Sequence, residues 1–254
     1  MNGARVVLGR DVRTFFTNFY GVGFRTIVVV LETVIFAFIL SAAVRPGAVG
    51  NLTYLQFFAL GSIVVSIFWA SYNIGRDVYW DRENGFINYL MSLPISRSEI
   101  IAGRSLGGSL RAILTALPLY VLAAILVPTT ALNILESLAV LFAFALGLCG
   151  LGIIAALSVR DETRARLLNT FISLALIRSS TALYPIVAMP VWLQIGAKLN
   201  PVTYASDSIR SVTVYSPQAI FPGLDISIVL IFATIAGMLG SWLFSKTIEG
   251  GPAD

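Results

Sequence analysis

Apolar stretches of about 20 residues alternate with short polar and charged stretches along most of the chain. An α-helix needs about 20 consecutive apolar residues to cross the hydrocarbon core of a bilayer. The pattern therefore predicts an all-α integral membrane protein that forms a single transmembrane domain over residues 1–254. Its six predicted transmembrane helices are residues 26–44, 55–75, 105–127, 134–157, 167–181 and 226–244.

The connection between the second and third predicted spans is unusually charged. Residues 76–104 hold eight of the 30 charged residues in 29 positions. We expect a short helix at Phe86–Ser92, because Pro94 disfavours helical geometry in the residue before it. Ser96 and Glu99 form a capping box, which predicts a new helix that continues into the third span. The stretch is a candidate docking surface for a cytosolic protein, and a well-capped hairpin is the simpler alternative.

The first 25 residues contain four arginines around mixed residues and no compact apolar stretch before a small-residue site. We therefore expect no cleavable signal peptide, and the first span is expected to remain in the mature protein. Residues 4–24 have the period of an amphipathic helix, which predicts an interfacial helix; an ordinary cytosolic lead-in is the alternative. Its predicted apolar face is Leu8, Val12, Phe15, Phe16 and Phe19.

Residues 182–225 contain five prolines and no segment long enough to cross a membrane. Two short outer helices are predicted there, re-entrant or interfacial, at Val191–Leu199 and residues 202–212. Asn200 is the expected N-cap of the second helix and Pro201 lies in its first turn. The aromatic side chains that suit a headgroup position are Trp192, Tyr204 and Tyr215.

The distribution of Lys and Arg predicts the orientation. Of the 17 Lys and Arg residues, 13 lie in the N-terminal lead, in residues 76–111, in the connection between the fourth and fifth spans, and in the tail. The positive-inside rule therefore predicts that both termini and residues 76–104 are cytoplasmic, in the plasma or inner membrane of a cell.

Composition narrows the chemistry. Only 12% of the residues are charged, against about 25% in soluble domains, and the chain has no histidine and one cysteine, Cys149. An integral-membrane enzyme would need clustered acids, histidines or cysteines, so no catalytic, cofactor-binding or metal-binding residue is predicted. The basic residues are dispersed in short loops, which argues against a nucleic-acid partner.

Two charges fall inside predicted spans, Glu32 in the first and Arg178 in the fifth. A charge at such a position costs about 2.5–3.5 kcal/mol on insertion scales and marks a candidate functional site. Glu32 and Arg178 are therefore the candidate translocation path, and we hypothesise that they pair inside the bundle. For Glu32 the alternative is a position near the inner headgroups. An ion- or proton-coupled carrier or channel that uses both residues remains an alternative function.

Two sets of residues carry a family resemblance. The first combines an acid and a glycine, an apolar run, a Pro-hydroxyl-Arg turn, an acidic helix start and a Gly-basic pair: Glu83, Gly85, Leu90, Leu93, Pro94, Ser96, Arg97, Glu99, Gly103 and Arg104. The second precedes the last span: Ser179, Ser180, Tyr184, Pro185, Pro190, Trp192, Leu193, Asn200, Pro201, Thr203, Tyr204, Asp207 and Arg210. With both sets, the chain resembles the permease subunits of type-2 ABC transporters over nearly its whole length. Arg178 departs from the pattern, because many relatives have an apolar residue there.

The resemblance implies a fold, an assembly and a mechanism. The fold is six spans with an N-terminal interfacial helix, a cytosolic coupling helix after the second span and two short outer helices before the sixth. The assembly is two nucleotide-binding subunits, which hold ATP and Mg, with two permeases in the membrane lipid, either two copies of this chain or this chain and a related one. The chain itself contains no G-x-x-x-x-G-K-[ST] phosphate loop, so ATP hydrolysis is expected in the partner.

The implied mechanism is export by alternating access, and the few charges favour an amphiphilic or hydrophobic substrate. The residues expected to couple the ATPase to the membrane are Glu83, Gly85, Leu90, Pro94, Ser96, Arg97 and Glu99. The residues expected in the outer helices are Pro185, Pro190, Trp192, Asn200, Pro201 and Tyr204. An assembly or immunity factor that uses the fold without moving a defined solute is a further alternative.

Overall fold

The structure, a computed structural model, describes residues 3–17, 19–42, 49–50, 52–92, 95–159, 161–214 and 224–249. Within these ranges the regular elements are all helical. They are α1 (Gly3–Thr17), α2 (Phe19–Ser41), α3 (Tyr54–Tyr72), α4 (Ile74–Glu83), α5 (Phe86–Ser92), α6 (Arg97–Leu126), α7 (Ala131–Leu157), α8 (Glu162–Arg178), α9 (Val191–Leu199), α10 (Pro201–Val214) and α11 (Asp225–Glu249). A 3₁₀ turn at Ile186–Ala188 separates α8 from α9.

Four helical segments of the described residues are long and apolar enough to cross a membrane. They are Tyr54–Glu83, Arg97–Leu126, Ala131–Leu157 and Asp225–Lys246, and they contain the second, third, fourth and sixth predicted spans. The first predicted span corresponds to a shorter apolar segment, Ile27–Ser41, and the fifth to α8, which has 17 residues. These two spans stay predictions.

The helix of the second span extends well beyond its predicted end at residue 75. Asn73 has helical angles, with φ −66° and ψ −7°, and its carbonyl accepts a hydrogen bond from the Asp77 amide at 3.2 Å. α3 and α4 therefore form a nearly continuous helix of 30 residues, about 45 Å long. This length exceeds the thickness of a hydrocarbon core, which is about 30 Å. The charged part of the helix, α4, is followed by α5 and then by α6.

The core of the bundle lies around α3. This helix contacts α2, α6, α7 and α10, and its residues Ile63, Phe68 and Tyr72 are fully buried. A helix that is apolar on every face is buried on every face. The α3–α4 helix consequently runs through the middle of the molecule from one end to the other.

Small residues let the central helices approach each other. A side chain at Gly152 would collide with the Tyr72 carbonyl oxygen, and one at Gly150 would collide with the Ala236 carbonyl oxygen. A side chain at Gly147 would lie 2.7 Å from the Phe232 ring. These three glycines of α7 therefore allow close packing against the α3–α4 helix and against α11.

Candidate functional site

Two ends of the bundle hold most of the residues that the sequence motifs singled out. The α5 end consists of α1, α4, α5 and the first turns of α6. The α9 end consists of residues 179–214 and the first turns of α3. A cavity extends between the two ends.

At the α5 end, the predicted helix Phe86–Ser92 is α5. The chain turns from α4 into α5 at Gly85, whose φ of +70° lies in the left-handed region that favours glycine. Leu90 and Ile87 are buried, in a cluster with Ile100 and Ile101 of α6. Tyr89, on the opposite side of α5, is 59% exposed, and so α5 is held by one face and presents the other.

The predicted capping box at the start of α6 is confirmed. The Ser96 hydroxyl accepts a hydrogen bond from the Glu99 amide at 3.3 Å, and the Glu99 carboxylate accepts one from the Ser96 amide at 3.0 Å. Arg97 donates to the Ser245 carbonyl of α11 at 3.4 Å, whereas Glu83 is exposed at the end of α4. The predicted corner residues Leu93 and Pro94 lie outside the described residues.

α1 packs against α6, and it does so through a face other than the predicted apolar one. Val7 and Asp11 are its buried residues, whereas Phe16 is 59% exposed. A side chain at Gly103 would lie 2.7 Å from the Ala4 carbonyl oxygen, which explains the glycine of the Gly103-Arg104 pair. α1 is thus a packed element of the α5 end in addition to being amphipathic.

The α5 end also contains a cluster of ion pairs. Arg104 is 5% exposed, and its guanidinium contacts the Asp11 carboxylate at 3.0 Å and the Asp81 carboxylate. Arg10 also reaches Asp81, at 3.2 Å. A second pair joins Arg111 of α6 to Asp77 of α4 at 2.8 Å. We call these residues the ion-pair cluster: Arg10, Asp11, Asp77, Asp81, Arg104 and Arg111.

The cluster ties α1, α4 and α6 together. Arg104 of α6 pairs with Asp11 of α1 and Asp81 of α4, Arg10 of α1 pairs with Asp81, and Arg111 of α6 pairs with Asp77 of α4. Buried charges are tolerated when they are paired in this way. The sequence motifs did not reveal the cluster. One sequence feature could have indicated it: the acid Asp11 lies on the same face of α1 as Ala4 and Val7.

A cavity of about 1000 Å³ extends from the ion-pair cluster to the α9 end. One wall is a strip of α2 at helical spacing, and the facing wall is a strip of α3. The α2 strip is Val29, Glu32, Thr33, Phe36 and Leu40. The α3 strip is Phe58, Ser62, Val65, Ser66, Trp69 and Ala70.

Glu32 and Arg178 both line this cavity, so the structure brings the two candidate path residues together in one space. The Arg178 guanidinium donates to the Tyr184 hydroxyl at 3.3 Å. In the part of the chain that the structure describes, no cation lies within ion-pair distance of Glu32. The hypothesised direct ion pair between Glu32 and Arg178 is therefore absent, and each charge faces the cavity separately.

The two predicted outer helices are present as α9 (Val191–Leu199) and α10 (Pro201–Val214). Asn200 caps α10 as predicted, since its side-chain oxygen accepts from the Val202 amide at 2.9 Å. Its amide nitrogen donates to the Leu176 carbonyl at 2.6 Å and to the Ser179 hydroxyl. Asn200 therefore connects the end of α8 to the start of α10.

The other predicted residues of the outer helices differ in their surroundings. Trp192 is 73% exposed on α9, which fits the headgroup position expected of it, and Pro190 directly precedes α9. Tyr204 is buried, and its hydroxyl donates to the Lys198 carbonyl at 2.5 Å. Pro185 is buried next to the 3₁₀ turn, and Pro201 begins α10.

Arg210 holds the irregular segment that follows α8. Its guanidinium donates to the carbonyls of Thr181 and Ala182 at 2.9 and 2.8 Å and lies 3.6 Å from the centre of the Phe57 ring. Burial lowers the pKa of Arg210 to about 10, and the Asp207 carboxylate at 3.3 Å opposes that shift. The guanidinium is thus charged at neutral pH. Sequence motifs included Asp207 and Arg210 without assigning them this role.

The chain was compared with known proteins. Residues 4–214 match the family model of the ABC-2 type transporter. The "Putative transport permease ycf38" of Cyanophora paradoxa is 30% identical over 218 residues, covering 80% of this chain and 75% of that protein. The proteins of the same name from Porphyra purpurea and Pyropia yezoensis are 30% and 31% identical over 166 residues, 64% and 63% of this chain and 57% and 56% of theirs. The chain therefore belongs to the ABC-2 type transporter family, as a membrane permease of that family.

Proposed function

We propose that this chain is the membrane-spanning subunit of an ATP-driven exporter that moves an amphiphilic or hydrophobic substrate by alternating access. ATP and Mg bind to a separate nucleotide-binding subunit, and two such subunits act with two permeases, each of six spans. The permease pair consists of two copies of this chain or of this chain and a related one. The observation that carries the proposal is the position of α5 between two helical segments that are long and apolar enough to cross a membrane.

The connections of α5 would allow it to transmit force to several helices. It follows α4, which continues the central helix α3, and it precedes α6. Leu90 anchors α5 in the apolar cluster beneath it, while Tyr89 and Glu83 remain exposed. A force on the exposed side of α5 would therefore act on α3 and α6 together, and through Arg104 on α1. Because these helices wall the cavity, their movement would change its access.

The α5 end is proposed to be cytoplasmic, in the plasma or inner membrane. The positive-inside rule supports this orientation, since 13 of the 17 Lys and Arg residues lie in residues 76–111 and in the three other segments that six spans would put on the same side. The proposed coupling residues are Glu83, Gly85, Leu90, Pro94, Ser96, Arg97 and Glu99. A cytosolic ATPase would reach Glu83, Tyr89 and Ser96 directly, because these three residues are exposed.

The experiment is charge reversal at the proposed docking surface. Glu83→Lys and Arg97→Glu are introduced together into the full chain, which is then co-purified with the ATPase subunit that accompanies it in its source membrane. We expect loss of ATPase association and of ATP-dependent transport in proteoliposomes, because both ends of the surface would carry the wrong charge. Glu83→Lys alone tests the surface without the Arg97–Ser245 hydrogen bond.

Lys198→Glu is the matched control. Lys198 is an exposed residue of α9, so reversal there changes the charge by two units, as each single reversal at the α5 end does, but at the other end of the bundle. It is expected to leave ATPase association and transport unchanged. Intact association and transport in the Glu83 and Arg97 double variant would contradict docking at α5.

Glu32 lines the cavity and has no ion partner among the described residues, which favours one alternative, a proton- or ion-coupled carrier or channel. The energy source that transport requires distinguishes the exporter from the carrier. An exporter stops when ATP is removed from proteoliposomes, whereas a carrier continues as long as a proton gradient is imposed. Transport that follows the gradient without ATP would replace the proposal with the alternative.

A further inference from the structure

The charges that line the cavity fall into two groups. Six of the nine are the ion-pair cluster, in which every member has a partner of opposite sign. The other three, Glu32, Arg76 and Arg178, have no ion partner among the described residues. Arg76 lies on α4 beside the cluster, at the α5 end. Glu32 and Arg178 belong to the remainder of the cavity.

Glu32 and Arg178 lie at different depths. Glu32 precedes Leu40, which lies at the α9 end of the α2 strip, by eight residues, or about 12 Å of helix. Arg178 bonds Tyr184 at the α9 end itself. Between the ion-pair cluster and the α9 end, the cavity therefore presents one negative and one positive side chain, with the positive one nearer the α9 end.

The surface around these two charges is mainly apolar. Val29 and Phe36 flank Glu32 on α2, and Val65 and Leu119 line the cavity from α3 and α6. Hydroxyl groups in the same walls are occupied: Thr33 donates to the Val29 carbonyl at 2.7 Å, and Ser62 donates to the Phe58 carbonyl at 2.8 Å. An unpaired charge in such surroundings is unfavourable and favours a ligand of opposite charge.

Charge complementarity selects one class of ligand. A simple cation would satisfy Glu32 and leave Arg178 unmatched, whereas a simple anion would satisfy Arg178 and meet Glu32. A head group that carries both charges satisfies both residues, and an alkyl chain attached to it lies against the apolar walls. Trp69 on the facing α3 strip adds an aromatic surface for an ammonium group.

We propose that the cavity binds a zwitterionic amphiphile, with its cationic group at Glu32, its anionic group at Arg178 and its chain on the apolar walls. The claim that this amphiphile is the transported substrate rests on the proposed function. Binding itself needs only the permease. Because the two side chains do not contact each other, any coupling between Glu32 and Arg178 runs through the bound head group.

The test uses the full chain in micelles of dodecyl maltoside, an uncharged detergent. Three fluorescent probes share one twelve-carbon chain and differ in the head group: phosphocholine, a phosphate monoester, and trimethylammonium. The phosphocholine probe is expected to bind about tenfold tighter than either other probe, because a second matched charge is typically worth at least 1.4 kcal/mol. Phosphocholine without a chain is expected not to displace it, and displacement at similar concentrations would overturn the amphiphile class.

Two variants assign the charges. Glu32→Gln is expected to weaken the phosphocholine and trimethylammonium probes about tenfold and to spare the phosphate probe. Arg178→Gln is expected to weaken the phosphocholine and phosphate probes and to spare the trimethylammonium probe. The spared probe shows in each case that the variant is folded. Lys198→Gln is the control, because Lys198 is an exposed residue of α9 outside the cavity lining, and it is expected to change no probe.

Equal affinity for the three probes, or equal weakening of all three by Glu32→Gln, would overturn the inference. Stimulation of the ATPase activity of the complex by the probes tests the exporter function separately from the zwitterion site. If the probes bind with the expected head-group preference but do not stimulate the ATPase, the result would support the binding site and contradict the exporter function. Stimulation that ignores the head group would support the exporter and overturn the zwitterion site.

Discussion

Two sets of charges line the same cavity and behave differently. Arg104 and Asp11 are 5% and 3% exposed, and they contact each other at 3.0 Å across a helix–helix interface. Glu32 and Arg178 are exposed to the cavity and have no ion partner among the described residues. A charge whose partner is built into the fold holds helices together, whereas a charge without one is available to a ligand. The neighbours of a charged residue, more than its presence in an apolar segment, indicate its role.

The largest effect that would test this contrast is expected at Arg104. Arg104→Gln should destabilise the chain by about 3 kcal/mol, because it removes the buried guanidinium that pairs with both Asp11 and Asp81 and leaves Asp11 with the part-exposed Arg10 alone. The measurement is equilibrium unfolding of the detergent-solubilised chain. Adding Asp11→Asn should recover part of the loss, and a cost below about 1 kcal/mol would contradict a structural role for the cluster.

A smaller effect is expected at the start of α6, which carries Arg104. Ser96→Ala removes the hydroxyl that accepts the Glu99 amide, and the loss of such a cap costs about 1 kcal/mol. Ser158→Ala is the matched control, since Ser158 is an exposed serine at the end of α7 whose hydroxyl bonds within its own helix. Equal unfolding free energies for the two variants would show that the cap contributes nothing.

The smallest effect on stability is expected at Glu32. Glu32→Gln breaks no ion pair or hydrogen bond among the described residues, so the unfolding free energy should change by less than about 0.5 kcal/mol. Equilibrium unfolding then separates the ion-pair cluster from Glu32, because Arg104→Gln is expected to lower the unfolding free energy most and Glu32→Gln least. A loss above about 2 kcal/mol for Glu32→Gln would reveal a structural partner and remove the contrast.

The features that sequence predicted correctly depend on neighbours along the chain. The capping box joins Ser96 to Glu99, the Asn200 cap joins residues two apart, and the bounds of α5 and α9 follow from nearby glycine and prolines. The ion-pair cluster and the Arg210 network join residues 93 and 153 positions apart. Such pairings depend on how helices pack, and no local pattern specifies them.

The extent of the second span illustrates a different limit. Residues 76–83 read as part of a charged loop because hydropathy decreases sharply after Gly75. The backbone nevertheless continues as helix through Asn73 into α4, since helical geometry does not require an apolar environment. Hydropathy marks where a helix leaves the membrane, and it does not mark where the helix ends. The first and fifth spans stay predictions, because the corresponding apolar segments, Ile27–Ser41 and α8, are shorter.

The ion pair between Asp11 and Arg104 also has a consequence for how the protein is made. The two residues are 93 positions apart, and a ribosome adds about 5–20 residues per second. The helix that carries Asp11 therefore waits about 5–20 s during synthesis before the arginine that neutralises it has been added. During that interval α1 has to remain in contact with water or with the insertion machinery. Assembly of the α5 end thus begins only after Arg104 has been synthesised.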